Sequence, residues 1–192
     1  MKKNKIMIIG CGGIGSYLIS LLDRANRMNT TTMLYDITVY DPDVVETKNL
    51  SYQNFDADDV GLNKAEALSQ RFVFKSQPYK VLTPSQIEGY DLVICCADNL
   101  DVRKMLYKSG IRWLDLRAQG RAGLLVSSDE DPKLYSTLTA GPEGSFSCQG
   151  DSWDGTNKAV HFMQIVIAGM GAQWIQRYMN QEEVCQYKVV NV

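Results

Sequence analysis

The motif GCGGIG at residues 10–15 is the feature that most constrains the fold of this chain. It follows the apolar run KIMII, which predicts a buried strand, and it opens a segment with apolar residues at helical spacing. A glycine motif between a strand and a helix is typical of a nucleotide-binding turn. Gly10 makes the tight turn, Gly12 lets the backbone approach a phosphate, and Gly15 lets the helix pack on the strand. We therefore predict a nucleotide site, with a ligand-free turn as the alternative, formed by Gly10, Gly12, Gly13 and Gly15.

Predicted strands and helices alternate along much of the chain. The segment YDLVICCAD at residues 90–98 is apolar on both faces, as a central parallel strand is. This alternation predicts an α/β fold, namely a Rossmann-like, doubly wound, mostly parallel sheet with helices on both faces. The other predicted strands are residues 35–41, 80–82, 112–118 and 123–129, and two predicted helices are residues 63–72 and 99–110.

The last third of the sequence has a different pattern. Residues 129–156 are rich in Gly, Ser, Asp and Pro without a regular period, which predicts a long loop before a C-terminal helix. That helix is predicted from about residue 157 to residue 179. An apolar stripe along it favours core packing, with a dimer interface as the alternative, and consists of Val160, Met163, Ile167, Met170 and Trp174. The length of 192 residues predicts a single domain over residues 1–192.

The composition excludes several classes of function. With 20 basic and 22 acidic residues, the chain has no overall field that would attract nucleic acid or an anionic membrane. The first apolar run is too short for a signal peptide, and polar residues interrupt the apolar stretch at residues 160–175. The five cysteines are odd in number and form no CxxC pair, which argues against a disulfide framework and a four-thiolate zinc site. We expect a cytoplasmic protein without a membrane or nucleic-acid partner.

An acidic residue ends the second predicted strand. Asp41 is in the place where dinucleotide-binding proteins use a carboxylate to hold ribose hydroxyls, although it lies 31 residues after Gly10 rather than about 20. The polar segment between the first helix and the second strand accounts for the longer spacing. At this point, both NAD and ATP remain possible ligands.

The segments after Asp41 distinguish these ligands. The chain continues DPDVVETKNLSYQNF, then VGLNKA, and later DNLDVR. With the glycine motif, these segments resemble the ThiF/MoeB/E1-like superfamily, whose pattern is GxGGxG, D-x-D-x-V-E-x-x-N-L-x-R-Q, V-G-x-x-K-A and D-N-x-x-x-R. The resemblance runs from about Lys5 to Tyr107. It implies a homodimeric enzyme that uses ATP and Mg²⁺ to adenylate the C-terminal glycine of a ubiquitin-like or sulfur-carrier protein.

The resemblance also implies roles for individual residues. Asp41 corresponds to the acid that holds the ATP ribose, and Asn49 and Gln53 correspond to polar residues along the phosphate channel. Lys64 corresponds to the lysine on the phosphates. In isolation, Lys64 would be an ordinary solvated side chain in the first turn of a helix.

A metal site is implied at the end of the central strand. Asp98, beside Asn99, corresponds to the acid that positions magnesium in the family. Attack of a carboxylate on the α-phosphate of ATP brings two anions together, so cations and fixed N–H dipoles are needed where charge develops. Lys64 and Mg²⁺ on Asp98 suit that need. The alternative is that Asp98 and Asn99 only cap the following helix.

The chain departs from the family pattern at Tyr52. The pattern has an arginine there that contacts the triphosphate, and a phenol has neither its charge nor its forked donor geometry. Asp43 and Glu46 are interpreted as loop acids rather than ligands. The candidates for supplying the missing charge, as alternatives to one another, are Lys48, Arg103, Arg117 or Arg121.

One cysteine, Cys148, is the candidate for a second reaction step. Many relatives transfer the activated acyl group to a cysteine, and Cys148 lies roughly where their reactive loop crosses. The alternative is an ordinary loop thiol, because no His, Lys or Arg adjoins Cys148 in sequence to lower its pKa. Cys95 and Cys96 lie in the central strand, where at least one of them should be buried in packing.

Three functions therefore remain open. The first is an adenylyltransferase that acts on a small partner protein. The second is a catalytically weak nucleotide-binding scaffold of the same fold, in which Tyr52 marks the loss of chemistry. The third, an NAD-linked oxidoreductase, is disfavoured because the sequence shows no hydride-transfer acid and no substrate domain.

Overall fold

The computed structural model describes residues 3–28, 35–138 and 161–191. Seven strands form one sheet. They are β1 (Asn4–Ile9), β2 (Tyr35–Tyr40), β3 (Lys75–Gln77), β4 (Leu92–Cys95), β5 (Trp113–Gln119), β6 (Ala122–Ser127) and β7 (Tyr187–Asn191). The α-helices of the described residues are α1 (Gly13–Arg27), α2 (Lys64–Ser69), α3 (Leu100–Lys108), α4 (Pro132–Leu138) and α5 (Met163–Met179), and short 3₁₀ turns cover Thr47–Ser51, Ala57–Asp59 and Pro84–Gln86.

The strand order of the sheet is β3-β2-β1-β4-β5-β6-β7. All neighbouring pairs from β3 to β5 are parallel, and β6 and β7 are added antiparallel at one side. This topology confirms the predicted doubly wound, mostly parallel α/β fold. The chain runs outwards from β1 through β2 to β3 and then returns to place β4 on the other side of β1. In such sheets the crevice at this reversal, outside the carboxyl ends of the strands, is where ligands bind.

Helices cover both faces of the sheet. Ile6 and Ile8 of β1 pack in one buried cluster with residues of α1, α2 and α5. Met7 and Ile9 of β1 point to the other face and pack with residues of α3 and α4. This alternation along one strand is the period of an extended chain. None of the helices in the described ranges is long and apolar enough to cross a bilayer.

The predicted apolar stripe of α5 packs into the core. Met163, Ile167 and Trp174 are buried in the cluster that contains α1, and Met170 packs against it. A Cβ added to Gly171 would lie 2.6 Å from the Leu116 Cδ1, so a larger residue there would force the Leu116 side chain to move where α5 approaches β5. The core-packing interpretation of the described part of this stripe is confirmed, and Val160 lies outside the described residues.

Four predicted elements differ from the observed ones. The predicted strand at residues 80–82 is wrong, since β3 is Lys75–Gln77. The segment predicted as loop from residue 129 contains α4, and residues 139–160 lie outside the described residues. The C-terminal helix begins at Met163, and β7 follows it. The predicted helix at residues 63–72 is shorter, because α2 ends at Ser69.

Candidate functional site

A cleft of about 770 Å³ opens at the carboxyl ends of β1, β2 and β4. Sites for small molecules usually enclose about 300–1,000 Å³. The glycine loop, the segment after β2, the start of α2 and the loop after β4 contribute its walls. Every residue predicted to bind nucleotide except Gly15 lines the cleft, namely Gly10, Gly12, Gly13, Asp41, Asn49, Gln53, Lys64, Asp98 and Asn99.

The glycine loop has the steric requirements that the sequence predicts. Gly10 has φ +89°, and a Cβ there would lie 2.8 Å from the backbone of Ala97. A Cβ on Gly15 would lie 2.0 Å from the carbonyl oxygen of Gly10, so helix and strand approach too closely for any side chain. At Gly12, by contrast, the nearest atoms would be those of the Gln53 amide at 3.8 Å or more. Gly10 and Gly15 are therefore needed for the turn itself, whereas Gly12 leaves space in the cleft.

The N-terminus of α1 lies at this loop. Gly12 is its N-cap, no side chain among the described residues caps it, and its first turn contains no acidic residue. The first N–H groups of a helix have no partner within the helix and carry partial positive charge. Because Gly12 and Gly13 line the cleft, this end of α1 can bind an anion there.

Asp41 is held between two backbone segments. Its carboxylate accepts hydrogen bonds from the N–H of Cys11 at 2.7 Å and from the N–H of Asp43 at 2.9 Å. The residue is only 4% exposed. Burial raises the pKa of the Asp41 carboxyl, while the two N–H donors and the Lys64 ammonium act in the opposite direction. The carboxylate is thus fixed in position at the floor of the cleft.

Lys64 is the first residue of α2. Asn63 caps this helix by accepting hydrogen bonds from the N–H groups of Ala65 and Glu66, and its amide donates to the carbonyl oxygen of Asp41 at 2.8 Å. This arrangement places the buried Lys64 side chain beside Asp41. The Lys64 Nζ lies 3.4 Å from a carboxylate oxygen of Asp43, whose side chain is 64% exposed. The cation predicted for the phosphates is therefore in the cleft and already faces an acid.

The 3₁₀ turn at Thr47–Ser51 places two further predicted residues. Asn49 accepts a hydrogen bond from the N–H of Glu46, and its amide donates to the Tyr52 hydroxyl at 3.4 Å. Gln53 is 7% exposed, and the oxygen of its side-chain amide, Oε1, has no hydrogen-bond partner among the described residues. Leaving a buried acceptor unpaired costs about 1–3 kcal/mol. The amide of Gln53, which lies against Gly12, is thus suited to contact a ligand.

Asp98 and Asn99 have separate roles in the fold. The Asn99 side chain accepts hydrogen bonds from two backbone N–H groups of α3 and so caps this helix; whether capping is its only role stays a prediction. The Asp98 carboxylate lies 3.5 Å from the Arg103 Nη1 and is 27% exposed. No group of three or more His, Cys, Asp or Glu that could hold a metal occurs in the described ranges. Magnesium is usually held by one or two carboxylates plus substrate phosphates, and Asp98 fits that requirement.

The predicted compensating arginines are not in the cleft. Arg103 and Arg117 both donate to the fully buried carboxylate of Asp115, at 3.3 Å and 2.8 Å, and Tyr107 donates to it at 2.7 Å. Neither they nor Arg121 are among the described residues that line the cleft. An isolated buried carboxylate is very unfavourable, so Asp115 accounts for the position of both arginines.

The cleft lining is mixed in charge. Its described residues include three lysines, namely Lys48, Lys64 and Lys80, and five acids, namely Asp41, Asp43, Glu46, Asp98 and Asp101. Sequence reasoning missed Lys80 and its neighbours Tyr79, Val81 and Leu82, which follow β3. The signal that would have found them is the rule that parallel strands end at one edge of a sheet, but β3 itself was placed wrongly.

The three cysteines differ in burial and in position relative to the cleft, as far as the described residues include them. Cys95 is fully buried, and burial raises its pKa to about 12, so this thiol is unsuited to nucleophilic chemistry. The expectation that at least one central-strand cysteine is buried in packing is confirmed. Cys96 is partly buried and lines the cleft. Cys148 lies outside the described residues, and its role stays a prediction.

Comparisons with known proteins agree with this geometry. The chain matches the ThiF family over residues 1–190. It is 31% identical over 122 residues to "Adenylyltransferase and sulfurtransferase UBA4" of Yarrowia lipolytica, covering 58% of this chain and 29% of that protein. It is 25% identical over 125 residues to "Ubiquitin-like modifier-activating enzyme 5" of Aedes aegypti, covering 54% and 30%.

The fold is also found among solved structures. The crystal structure of E. coli MccB with ATP has a TM-score of 0.66 and 17% sequence identity, and the match covers 100% of this chain and 61% of that one. At this identity the likeness establishes the fold. The chain spans less than a third of the length of these two curated relatives.

Proposed function

The chain belongs to the ThiF family, and we propose that it is an adenylyltransferase that uses ATP and Mg²⁺ to activate the C-terminal glycine of a small ubiquitin-like or sulfur-carrier protein. The observation that carries this proposal is the single cleft that combines the glycine loop with Asp41, Lys64 and Asp98. These residues come from four separate segments of the chain. The carboxyl ends of β1, β2 and β4 bring them together.

The reaction needs positioning and charge stabilisation rather than proton transfer. A carboxylate oxygen of the partner forms a bond to the α-phosphorus of ATP, while the bond from that phosphorus to the bridging oxygen of the β-phosphate breaks. The electron pair of the broken bond leaves with pyrophosphate. Fixed donors aimed at the developing charge stabilise such a transition state most. In the proposal, the N–H groups at Gly12 and Gly13 and the Lys64 ammonium perform this role, and Asp41 orients the ribose.

The charge of the lining supports a requirement for a divalent cation. Five acids and three lysines among the described lining residues do not balance a triphosphate, so this part of the lining has too little positive charge for the anions it would receive. Mg²⁺ would supply Lewis-acid stabilisation of the phosphates. Asp98 is the residue that we propose to hold it. Arg103, at 3.5 Å, keeps the Asp98 carboxylate oriented at the end of β4.

Several features of the proposed enzyme rest on the family resemblance alone. These are a homodimeric assembly and the use of Cys148 as acceptor of the activated acyl group, whereas the proposed cytoplasmic location rests on the composition and the cysteine pattern. A partner with a flexible tail suits the cleft, because its volume of about 770 Å³ is open to solvent beside the exposed residues Tyr79 and Leu82.

The test is ATP–pyrophosphate exchange in the presence of candidate partner proteins that end in glycine. Lys64→Ala and Asp98→Asn should each lower the exchange rate by about 10²-fold or more, the usual effect of removing one transition-state donor. Lys108→Ala, at an exposed position of α3 that is not in the cleft lining, is the matched control. Exchange that survives both cleft substitutions would contradict the proposed site.

A specific observation also supports the alternative of a catalytically weak nucleotide-binding scaffold. Tyr52 replaces the expected arginine, and Lys48 and Lys64 both face acids in the cleft. A scaffold would bind ATP but show no exchange with any partner. Tyr52→Arg should then raise exchange from this background if the missing charge is what limits the reaction.

A further inference from the structure

The position of one lysine suggests how the cleft replaces the expected arginine, an inference that rests on the proposed function. We propose that Lys48 supplies the cation for the outer phosphates of ATP, and that Glu46 holds this cation until the nucleotide displaces it. The pair would then determine how strongly the site prefers a triphosphate over a monophosphate.

Lys48 and Tyr52 lie on the same wall of the cleft. Both residues line it, and both belong to or directly follow the 3₁₀ turn at Thr47–Ser51. The hydrogen bond and the charge of Glu46 raise the pKa of the Lys48 ammonium, and the Tyr52 phenol adds to this increase. The ammonium therefore remains charged at neutral pH. The charge that the family pattern places at position 52 is present here four residues earlier, on the same 3₁₀ turn and in the same cleft wall.

The other cations of the cleft are less suited to this role. Arg103 and Arg117 are held by Asp115, and Lys64 is beside Asp41 at the floor of the cleft. Lys80 lines the cleft from the segment after β3, which is a different part of the wall. Among the described cationic residues of the lining, Lys48 is the one that shares a turn with Tyr52.

The ion pair between Lys48 and Glu46 can be broken easily, so that Lys48 can take a new partner. The Lys48 Nζ lies 2.9 Å from a Glu46 carboxylate oxygen, and the two side chains are 54% and 59% exposed. Ion pairs between exposed side chains contribute little stability, because water screens them. A phosphate oxygen can therefore replace Glu46 as the partner of the flexible lysine side chain.

Glu46 also has a structural role that can be separated from its charge. It is the N-cap of the 3₁₀ turn: its backbone carbonyl oxygen accepts from the N–H of Asn49 at 2.8 Å, and its own N–H donates to the Asn49 side-chain oxygen at 2.9 Å. Glu46→Gln keeps both of these backbone bonds and removes the negative charge beside Lys48. If Glu46 competes with phosphate for Lys48, this substitution should strengthen ATP binding, which the loss of a merely structural contact would not do.

The experiment measures the dissociation constants of ATP and AMP by calorimetry for the wild type and its variants. Lys48→Ala should weaken ATP binding about tenfold and leave AMP binding within about twofold, because only ATP reaches the ammonium. Lys48→Arg should keep the ATP preference. Glu46→Gln should tighten ATP binding about threefold. Adding Tyr52→Arg to Lys48→Ala should restore the preference for ATP.

Lys80→Ala and Lys108→Ala separate the proposed role of Lys48 from a role of Lys80 and from a general effect of removing one positive charge. Lys108→Ala should change neither constant, and Lys80→Ala should lower the ATP preference less than Lys48→Ala does. An unchanged ratio of ATP to AMP affinity in Lys48→Ala, with ATP still bound, would overturn this inference and leave the proposed function intact. A wild-type protein that binds neither nucleotide would overturn both.

Discussion

The carboxylate of Asp41 accepts a hydrogen bond of 2.7 Å from the backbone N–H of Cys11. This bond joins the end of β2 to the glycine loop that follows β1. A second bond, from the N–H of Gly10 to the carbonyl oxygen of Tyr40 at 2.8 Å, joins the same two segments. The proposed ribose acid and the proposed phosphate loop therefore form one structural unit.

Asp41→Asn should destabilise this unit. The Asp41 carboxylate accepts from two backbone N–H groups with two different oxygens, and an amide has only one oxygen. One buried N–H would lose its partner, at a cost of about 1–3 kcal/mol in the free energy of unfolding. Urea denaturation measures this loss. Asp36→Asn on the same strand is the control, because Asp36 pairs with the exposed Lys75 and should cost less than about 1 kcal/mol. Equal losses in both variants would contradict the role given to Asp41.

The same residue should produce a measurable pH dependence. Burial raises the pKa of the Asp41 carboxyl above 3.8 in the folded protein. At a pH between 3.8 and the raised pKa of the folded state, the folded chain binds more protons than the unfolded chain. The contribution of Asp41 to the free energy of unfolding therefore falls as the pH rises through this window, and it stays low at higher pH. Relative to Asp41→Asn, the wild type should gain stability as pH is lowered across the window. Urea denaturation of both proteins over a pH series measures this, and the opposite slope would count against a raised pKa.

Two glycines of the loop should behave differently when each is changed to alanine. Gly15→Ala places a Cβ 2.0 Å from the Gly10 carbonyl oxygen and should cost about 3 kcal/mol or more of stability. Gly12→Ala meets no atom within 3.8 Å and should fold with a smaller loss. Its methyl group would project where we propose that a phosphate binds, so ATP affinity should fall. Thermal unfolding and ATP titration of both variants test this, and normal ATP binding by Gly12→Ala would contradict the proposed phosphate position.

Substitutions at Asn99 can separate helix capping from ligand binding. Asn99→Ala should cost about 1 kcal/mol, because α3 loses the acceptor for two N–H groups. Asn99→Asp keeps a capping oxygen and should retain the stability of the wild type. If Asn99 also contacts the nucleotide through its amide, only ATP affinity should fall in Asn99→Asp. Stability and ATP affinity that are both unchanged in Asn99→Asp would limit Asn99 to its capping role.

The buried cluster around Asp115 should be the most sensitive to a change of charge. Asp115→Asn leaves the guanidinium groups of Arg103 and Arg117 without their carboxylate, which should cost about 3 kcal/mol or more. Asp56→Asn is the matched control, since its partner Arg71 lies in an exposed pair whose loss should cost less than about 1 kcal/mol. Urea denaturation compares the two. A small effect at Asp115 would show that the arginines find other partners.

The sequence predicted those elements of the fold that a short segment of the chain determines by itself. Gly10 and Gly15 could be recognised because a glycine turn between a strand and a helix has a fixed geometry, and the structure shows the contacts that exclude a side chain there. The central strand was recognised from its apolar run. The meeting of Asp41 and Asp98 in one cleft also follows from the rule that parallel strands end at the same edge, whereas the place of Lys64, which begins α2, was implied by the family resemblance.

Other elements could not be predicted, because their cause lies elsewhere in the chain. The three residues of β3 are polar and lie at the edge of the sheet, so they show no apolar alternation. Two of the arginines predicted for the cleft, Arg103 and Arg117, bind Asp115, which lies 12 residues after Arg103 in sequence. An acid within the apolar run WLDLRA was the available signal for this buried pairing. The strand β7 is mostly exposed and has little apolar pattern of its own.

The pairing of cleft lysines with cleft acids has a consequence for the rate at which nucleotide arrives. Because Lys64 faces Asp43 and Lys48 faces Glu46, the field of each ammonium is largely cancelled within a few ångströms. Long-range attraction therefore adds little to the diffusional capture of ATP, and the association rate should depend only weakly on ionic strength. The difference in affinity between nucleotides would then lie in their dissociation rates. These rates depend on the contacts that each nucleotide makes with the two lysines after it has displaced the carboxylates.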